Sequence, residues 1–524
     1  MASGRAAPLS KLALDAAPDD ILEDVMHTPD LHEWRRRADT LEPRAQAFID
    51  GRFTTATSGR TFPTVSPAIG RVLAEVARSD ADDVERAVRA ARQSFENGTW
   101  SRCHPRERKK VLQRLAELVR KHGEELALLD CLDMGKPISD ALNIDVPGTA
   151  AVFDWYAEAA DKLYDQVAPT GEDALALVTR EPVGVVAAVI PWNFPLDMAA
   201  WKLGPALVAG NSVILKPAEQ SPLSALRLAE LASEAGLPDG VLNVLPGYGE
   251  EVGRALGLHP DVDCLSFTGS TEVGKLFLRY AADSNMKMVW LECGGKSPNL
   301  VFADCTDLDA AARRAAFGIF FNQGQVCSAS SRLLLERSIH DRFVDKLLAE
   351  VEALQPGHPL DPATRTGALV DVRQTERVMR YIEQGQKEGA RLVCGGERVT
   401  IDAGDCYIRP TIFTGVTPDM TIAREEIFGP VLSILTFDNE AEAVALANDS
   451  IYGLAAAVWT DDLNRAHRVS RQLRAGTVSV NTVDALDPGV PFGGVKQSGF
   501  GRDLSMHAVD KFTQLKTTWI QLQR

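Results

Sequence analysis

Val183-Gly184-Val185-Val186-Ala187-Ala188-Val189-Ile190-Pro191-Trp192-Asn193-Phe194-Pro195 opens the most regular part of this 524-residue chain. The first eight residues are apolar or glycine and rich in valine, which suits a strand buried on both faces. Two prolines then fix φ on either side of Trp192-Asn193-Phe194, so the chain turns before a helix predicted over Met198–Val208. Short β-branched runs recur at Asn211–Leu215, Val241–Leu245, Cys264–Phe267 and Met288–Leu291. Helical segments separate them at Leu223–Glu234, Gly249–Leu258 and Thr271–Asp283. Strands joined by single helices require right-handed crossovers. The fold class is therefore α/β, with a doubly wound parallel sheet of nucleotide-binding type.

Upstream, residues 83–133 read as two amphipathic helices, around Val84–Phe95 and Arg106–Leu132. Downstream, a second α/β block spans about 296 to 480, with helices at Leu308–Phe320 and Ile339–Leu354 and strands at Val431–Thr436, Ala455–Trp459 and Thr477–Val480. The tail Lys511–Leu522 alternates as a strand and ends near Trp519-Ile520. Such an apolar tip seeks an edge to pair with, and self-association is one outlet. The domains expected are an N-terminal arm over 1–40 that is frayed rather than folded, a cofactor domain over 41–160 and 179–294, a catalytic domain over 295–500, and an oligomerisation arm over 161–178 and 505–524.

Hydrophobic residues make up 45% and charged residues 24% of the chain, as in ordinary globular proteins. The net charge of −16 opposes binding to nucleic acid or to an anionic membrane. No apolar run reaches the length of a membrane span. The eight cysteines contain no C-x-x-C pair, which argues against zinc and leaves no metal expected. Their spread fits free thiols in a reducing compartment. The N-terminus lacks the apolar core of a secretory signal, so a cytoplasmic location is expected.

The chemistry gathers at Cys327, in Phe321-Asn322-Gln323-Gly324-Gln325-Val326-Cys327-Ser328. A thiol near its ordinary pKa is a few per cent ionised at neutral pH and needs a base. Glu292, in Leu291-Glu292-Cys293-Gly294-Gly295-Lys296, is the candidate. Asn193, held by its two prolines, can aim a carboxamide N–H at a developing oxyanion. Gly269 and Gly274, in Phe267-Thr268-Gly269-Ser270-Thr271-Glu272-Val273-Gly274, fall between a strand and a helix, where backbone can approach a pyrophosphate. Lys216 and Glu219 follow another strand. An acid there suits a ribose diol and repels a 2′-phosphate, favouring NAD over NADP.

With these pieces in order, the chain resembles the aldehyde dehydrogenase superfamily over roughly 40 to 524. The resemblance rests on Pro191–Pro195, Lys216–Pro222, Phe267–Gly274, Glu292–Gly295, Phe321–Cys327, Glu425-Glu426-Ile427-Phe428-Gly429-Pro430 and Pro491-Phe492-Gly493-Gly494. It implies that Cys327 attacks an aldehyde, Asn193 stabilises the oxyanion, hydride passes to NAD, and Glu292 activates water to release the acid. It further implies that Glu426 and Phe428 hold the nicotinamide ribose and ring, Lys216 and Glu219 the adenosine ribose, and Trp192 and Ser270 the pyrophosphate. Lys202 with Asp503 resembles the family's proton-relay pair, although many members carry Glu where Asp503 stands. The family habit is a homodimer or homotetramer.

Within the family, Ser284-Asn285-Met286-Lys287, Gly357-His358-Pro359-Leu360-Asp361-Pro362 and Val495-Lys496-Gln497-Ser498-Gly499 look closest to the branch oxidising γ-glutamyl-aminobutyraldehyde, guanidinobutyraldehyde and other ω-aminoaldehydes. A cationic aldehyde wants carboxylates or aromatic faces along its tunnel. Asp145, Asp197 and Asp487 are candidates for the first, Asp197 foremost. Phe194, Trp201, Phe321 and Phe492 are candidates for the second. Betaine aldehyde and broad aliphatic aldehydes are the alternatives. A CoA-acylating enzyme would not need Glu292, and a non-catalytic relative would not need Cys327, Glu292 and Asn193 together.

Overall fold

The computed structural model describes residues 29–523. Its first sheet has eight strands in the order Arg52–Thr54, Ala47–Ile49, Leu242–Val244, Ser212–Lys216, Val185–Val189, Cys264–Thr268, Met288–Glu292 and Gly499–Phe500. The five from Leu242–Val244 to Met288–Glu292 are parallel. All five lie where the β-branched runs predict them, and the first four are buried throughout because helices cover both faces, whereas Met288–Glu292 exposes Met288 at its start. Crossovers run outward in both directions from Val185–Val189. The loops after that strand and after Cys264–Thr268 therefore part at the carboxyl edge, which is where such sheets bind ligands.

The second sheet has seven strands, ordered Arg391–Cys394, Thr411–Thr414, Val431–Phe437, Arg332–Glu336, Pro298–Val301, Ala455–Trp459 and Thr477–Val480. Only the Arg391–Cys394 edge is antiparallel to its neighbour. The third sheet pairs the tail Thr513–Gln521 antiparallel with Ala174–Pro182, residue for residue from Thr513↔Pro182 to Gln521↔Ala174, with Gln166–Ala168 beyond.

Two expectations are corrected. The predicted helix Arg106–Leu132 is two, Pro105–Lys121 and Gly123–Met134, broken at His122 (φ −100°, ψ 22°). The first buries one stripe, whereas the second is enclosed on almost every side, so the chain must re-aim between them. Gly123, a poor helix former, stands at the break. Within the predicted arm 1–40, Leu31–Thr40 is a helix capped by Asp30, and its Trp34 is fully buried. Residues 1–28 lie outside the described residues.

Candidate active site

Cys327 follows a turn that few sequences could adopt. After the Leu308–Phe320 helix, Asn322, Gln323 and Gly324 all have left-handed backbone (φ 48°, 56° and 69°). Each such non-glycine residue costs about 1–3 kcal/mol unless its surroundings hold it. The Asn322 Nδ2 donates to the Asn193 carbonyl at 2.9 Å, and the Gln325 Oε1 accepts from the Val370 N–H at 3.0 Å. At Gly324 a Cβ would lie 2.2 Å from the Gly429 carbonyl oxygen, so only glycine fits. Asn193 reaches back, its Nδ2 donating to the Gln325 carbonyl at 2.9 Å. These ties fix the loop that presents the sulfur.

Glu292 ends the strand Met288–Glu292 and is opposite Gly499 on the antiparallel edge strand. Its carboxylate is buried, and neither oxygen has a hydrogen-bond partner among the described residues. A Cβ on Gly493 (φ 152°) would come within 2.6 Å of Oε1, so glycine there leaves the carboxylate its room. Two cavities meet at this point. Phe194, Met198, Thr268, Glu292, Cys293 and Cys327 line both.

Burial pushes the Cys327 thiol up, and the carboxylates of Asp484, Glu426 and Glu292 push the same way. The resting thiol is therefore neutral, and to act as a nucleophile it would first give its proton to a base. Burial also holds Glu292 well above the usual carboxylate range; Asp503 adds to this, while Lys202, Lys511 and Arg502 oppose it. Such a carboxyl group, once ionised, is a stronger base than an exposed carboxylate.

Lys202 and Asp503, 301 residues apart, meet at 2.6 Å in a buried pair. Burial drives the lysine down. Burial alone would raise Asp503, but Lys202 and Lys511 hold it below its ordinary value.

The first cavity is a cleft at the edge of the parallel sheet. Trp192, Asn193, Gly269, Ser270, Glu426 and Phe428 line it, together with Gln374 and Arg377. Trp192 and Phe428 meet edge to face at 5.2 Å, and Phe428 itself is left-handed (φ 60°). The Glu426 Oε1 accepts from the Gly295 N–H at 2.9 Å, and burial pushes its carboxyl up to about 7. Ser270 caps the Thr271–Ala282 helix, accepting from the Val273 N–H. Three expected cofactor residues do not line this cleft. Lys216 and Glu219 pair with each other at 3.3 Å beyond the end of Ser212–Lys216, and Gly274 packs on Cys293, whose Sγ a Cβ would approach to 3.0 Å.

The second cavity is a tunnel lined by Phe194, Asp197, Trp201, Phe321 and Phe492. Phe194 faces Phe321 at 6.0 Å, and Trp201 meets Phe492 edge to face at 5.3 Å. Asp197 accepts from the Thr149 hydroxyl at 3.0 Å; burial, then the neighbouring Asp145, raise it well above the carboxylate range. The other two acids are elsewhere. Asp145 is fully buried behind the wall, paired with Lys136, and Asp487 is exposed, accepting from the Gly489 N–H of its own turn at 2.7 Å.

Sequence reasoning passed over three groups. Asp484 lines the tunnel and accepts from the Ser328 hydroxyl at 2.7 Å, next to the nucleophile. Cys293 adds a second sulfur to both cavities. Lys511 takes the other oxygen of Asp503. The available signal for Lys511 was its place next to Phe512, three residues after Ala508, in Ala508-Val509-Asp510-Lys511-Phe512.

Comparison with known proteins agrees with this geometry. Residues 53–518 match the aldehyde dehydrogenase family. The NADP/NAD-dependent aldehyde dehydrogenase PuuC of Escherichia coli is 56% identical over 94% of this chain and 98% of its own length. An aminoacetaldehyde dehydrogenase of Pseudomonas aeruginosa is 51% identical over 93% of this chain and 98% of its own length. An indole-3-acetaldehyde dehydrogenase of P. syringae, solved with NAD+ and IAA, superposes with a TM-score of 0.94 at 59% identity, covering 94% of this chain and 100% of that one. With a thiol, a carboxyl group and a carboxamide at the meeting of tunnel and cleft, and with such coverage, the chain belongs to the aldehyde dehydrogenase family.

Proposed function

We propose that this chain oxidises an aldehyde to its carboxylic acid with NAD as oxidant, and that the aldehyde carries an ω-amino, γ-glutamylamino or guanidino group. The observation that carries the reaction is the shared wall: Cys327 and Glu292 border both tunnel and cleft. Glu292 takes the Cys327 proton, and the sulfur adds to the carbonyl carbon to give a thiohemiacetal. Asn193, through its second Nδ2 hydrogen, and the Cys327 backbone N–H stabilise the oxyanion, a contribution of about 3 kcal/mol at comparable sites. Bound NAD supplies the hydride acceptor. Once the carbon has lost hydride, Cys327 carries a thioester. Once Lys202 and Asp503 have led the first proton away, Glu292 removes a second from water, the oxygen attacks, and Cys327 leaves as thiolate. Lys202 and Asp503 lead the surplus proton away from Glu292.

The cleft suits a dinucleotide. It sits at the switch point of the sheet, offers the Thr271–Ala282 N-terminus, and has a buried Thr268 hydroxyl without a partner among the described residues. Glu426 and Phe428 would hold the nicotinamide ribose and ring and Trp192 and Ser270 the pyrophosphate, while Lys216 with Glu219, outside the cleft at the end of the neighbouring strand, would meet the adenosine ribose where the dinucleotide extends beyond it. Glu219 favours NAD over NADP.

Asp197 supports a cationic substrate, and so does the aminoacetaldehyde activity named for the P. aeruginosa relative. Aromatic walls favour a second reading, a bulky neutral aldehyde such as that named for the P. syringae relative. Initial rates of NAD reduction on an ω-amino aldehyde, an aliphatic aldehyde of equal length and an arylacetaldehyde separate them. A kcat/KM at least tenfold higher for the amino aldehyde, about 1.4 kcal/mol, is expected. A preference for the aryl compound would overturn the substrate assignment, and no reduction of any would overturn the reaction.

The same reading assigns 41–160 and 179–294 to the cofactor domain, 295–500 to the catalytic domain, and 161–178 with 505–524 to an oligomerisation arm. Exposed Leu515, Trp519 and Ile520 on the tail strand, and Leu276 and Leu278 on the Thr271–Ala282 helix, support a homodimer or homotetramer. Eight free cysteines support a cytoplasmic location. No described helix is long and apolar enough to cross a membrane.

A further inference from the structure

Asp503 is gripped from both sides. Lys202, on the Pro195–Ala209 helix, takes Oδ2, and Lys511, on the Met506–Phe512 helical turn, takes Oδ1. The three side chains are 0%, 3% and 1% exposed for Lys202, Lys511 and Asp503. The Lys511 carbonyl accepts from the Trp290 indole at 3.0 Å and from the Cys264 thiol at 3.5 Å, which ties its backbone to two strands, one of them ending at Glu292. Its stem runs past Gly501, where a Cβ would lie 3.3 Å from Cδ. Nothing in this arrangement is solvated.

We propose that Lys511 is a positioning residue for deacylation, holding Asp503 and supplying the second buried positive charge that lets Glu292 carry a negative one. Among the fully buried groups, two ammoniums and one carboxylate carry a net charge of +1, and an ionised Glu292 brings it to zero; Arg502, half-buried and donating to the Gly494 and Gly501 carbonyls, stands outside this count. Without Lys511, the same ionisation would leave −1 in a closed interior, which is costly. The groups facing Glu292 are Asp503 and Arg502 from the segment after Gly499–Phe500, Lys202, Lys511, and the Cys327 thiol at the shared wall. Tyr156 of the neighbouring helix donates instead to the Ser505 carbonyl at 3.1 Å. This role rests on Glu292 being the base that activates water.

The test compares Lys511→Met and Lys511→Arg with the unaltered enzyme, using NAD and a good aldehyde from pH 6 to 9. In Lys511→Met the acid limb of kcat moves up by one pH unit or more, and kcat at pH 7 falls at least tenfold. The first-turnover burst of NADH keeps its amplitude, because hydride transfer precedes deacylation. Lys511→Arg restores the limb. An unmoved limb in a folded Lys511→Met overturns the proposal. Should that variant not fold, Lys511→Gln is read in the same way, and Asp503→Asn must move the limb down; no downward movement overturns the proposal equally. If Glu292→Gln keeps steady-state turnover, it is the reading of Glu292 that fails, whatever Lys511 does.

Discussion

Two buried sets of lysines and aspartates flank the tunnel, and they are charged in opposite senses. On one side Lys202 and Lys511 share the single carboxylate of Asp503. On the other, one lysine, Lys136, pairs with Asp145 while Asp130, Asp140 and Asp197 add three more acids. Where cations outnumber the clamped acid, Asp503 stays ionised below its ordinary pKa. Where acids outnumber the cation, burial pushes Asp130 and Asp140 up to about 7 and Asp197 higher than its usual range. The first set fixes charge beside the reacting carbon. The second stores protons behind Phe194, over whose ring the Lys136 ammonium sits at 4.1 Å, and has room for one more positive charge. On the function proposed above, charge balance rather than residue type separates a proton path from a cation subsite.

The sharpest way to break this contrast is at Glu292, the carboxyl that balances the cationic set. Glu292→Gln should lower steady-state kcat by about 10²–10⁴-fold and leave one NADH per site in the first turnover. Stopped-flow absorbance measures both: the burst should be slower, because Glu292 also takes the Cys327 proton, and a first turnover and steady state as fast as in the unaltered enzyme would overturn its role as base. The acidic set is probed by Asp197→Asn. Asp197 must lose its proton to hold a cation, so kcat/KM for an ω-amino aldehyde should rise with pH in the unaltered enzyme. The variant should flatten that rise and lower the high-pH value about tenfold, with aliphatic aldehydes unaffected. Equal losses on both substrates would reduce Asp197 to tunnel wall.

The smallest effect concerns stability. Asp130 titrates near 7 when folded and near 3.8 when unfolded, so the folded chain keeps the proton longer. Its contribution is complete below about pH 4 and is lost as pH rises through 7. Asp130→Asn, which keeps a neutral side chain, should match the unaltered protein near pH 4 and melt about 2–4 °C higher at pH 8. Differential scanning calorimetry at the two pH values checks the sign.

These acids also mark what a sequence reveals. The five parallel strands were legible because burial on both faces leaves continuous β-branched runs, and the turn at Asn193 was legible because prolines have no other use there. Asp145, Asp197 and Asp487 look alike in a string of letters. Only tertiary packing turns Asp145 toward Lys136, Asp197 toward the tunnel and Asp487 to solvent. Lys511 and Asp484 reach the site from late in the chain, with no local periodicity to mark them. The edge strand Gly499–Phe500 is two residues long, too short for any pattern. The break at His122 stayed hidden because each half has helical composition.

That edge strand orders events during synthesis. Glu292 is opposite Gly499, the Cys293 N–H donates to the Ser498 carbonyl at 2.8 Å, and the Ser498 hydroxyl bridges from the Gly453 N–H to the Gly294 carbonyl. Asp503 and Lys511 follow within twelve residues. A ribosome that has made the whole parallel sheet and the thiol loop holds a site still open on one side. Glu292 lacks its backing strand, and Lys202 lacks its carboxylate, until residues 499–511 have followed.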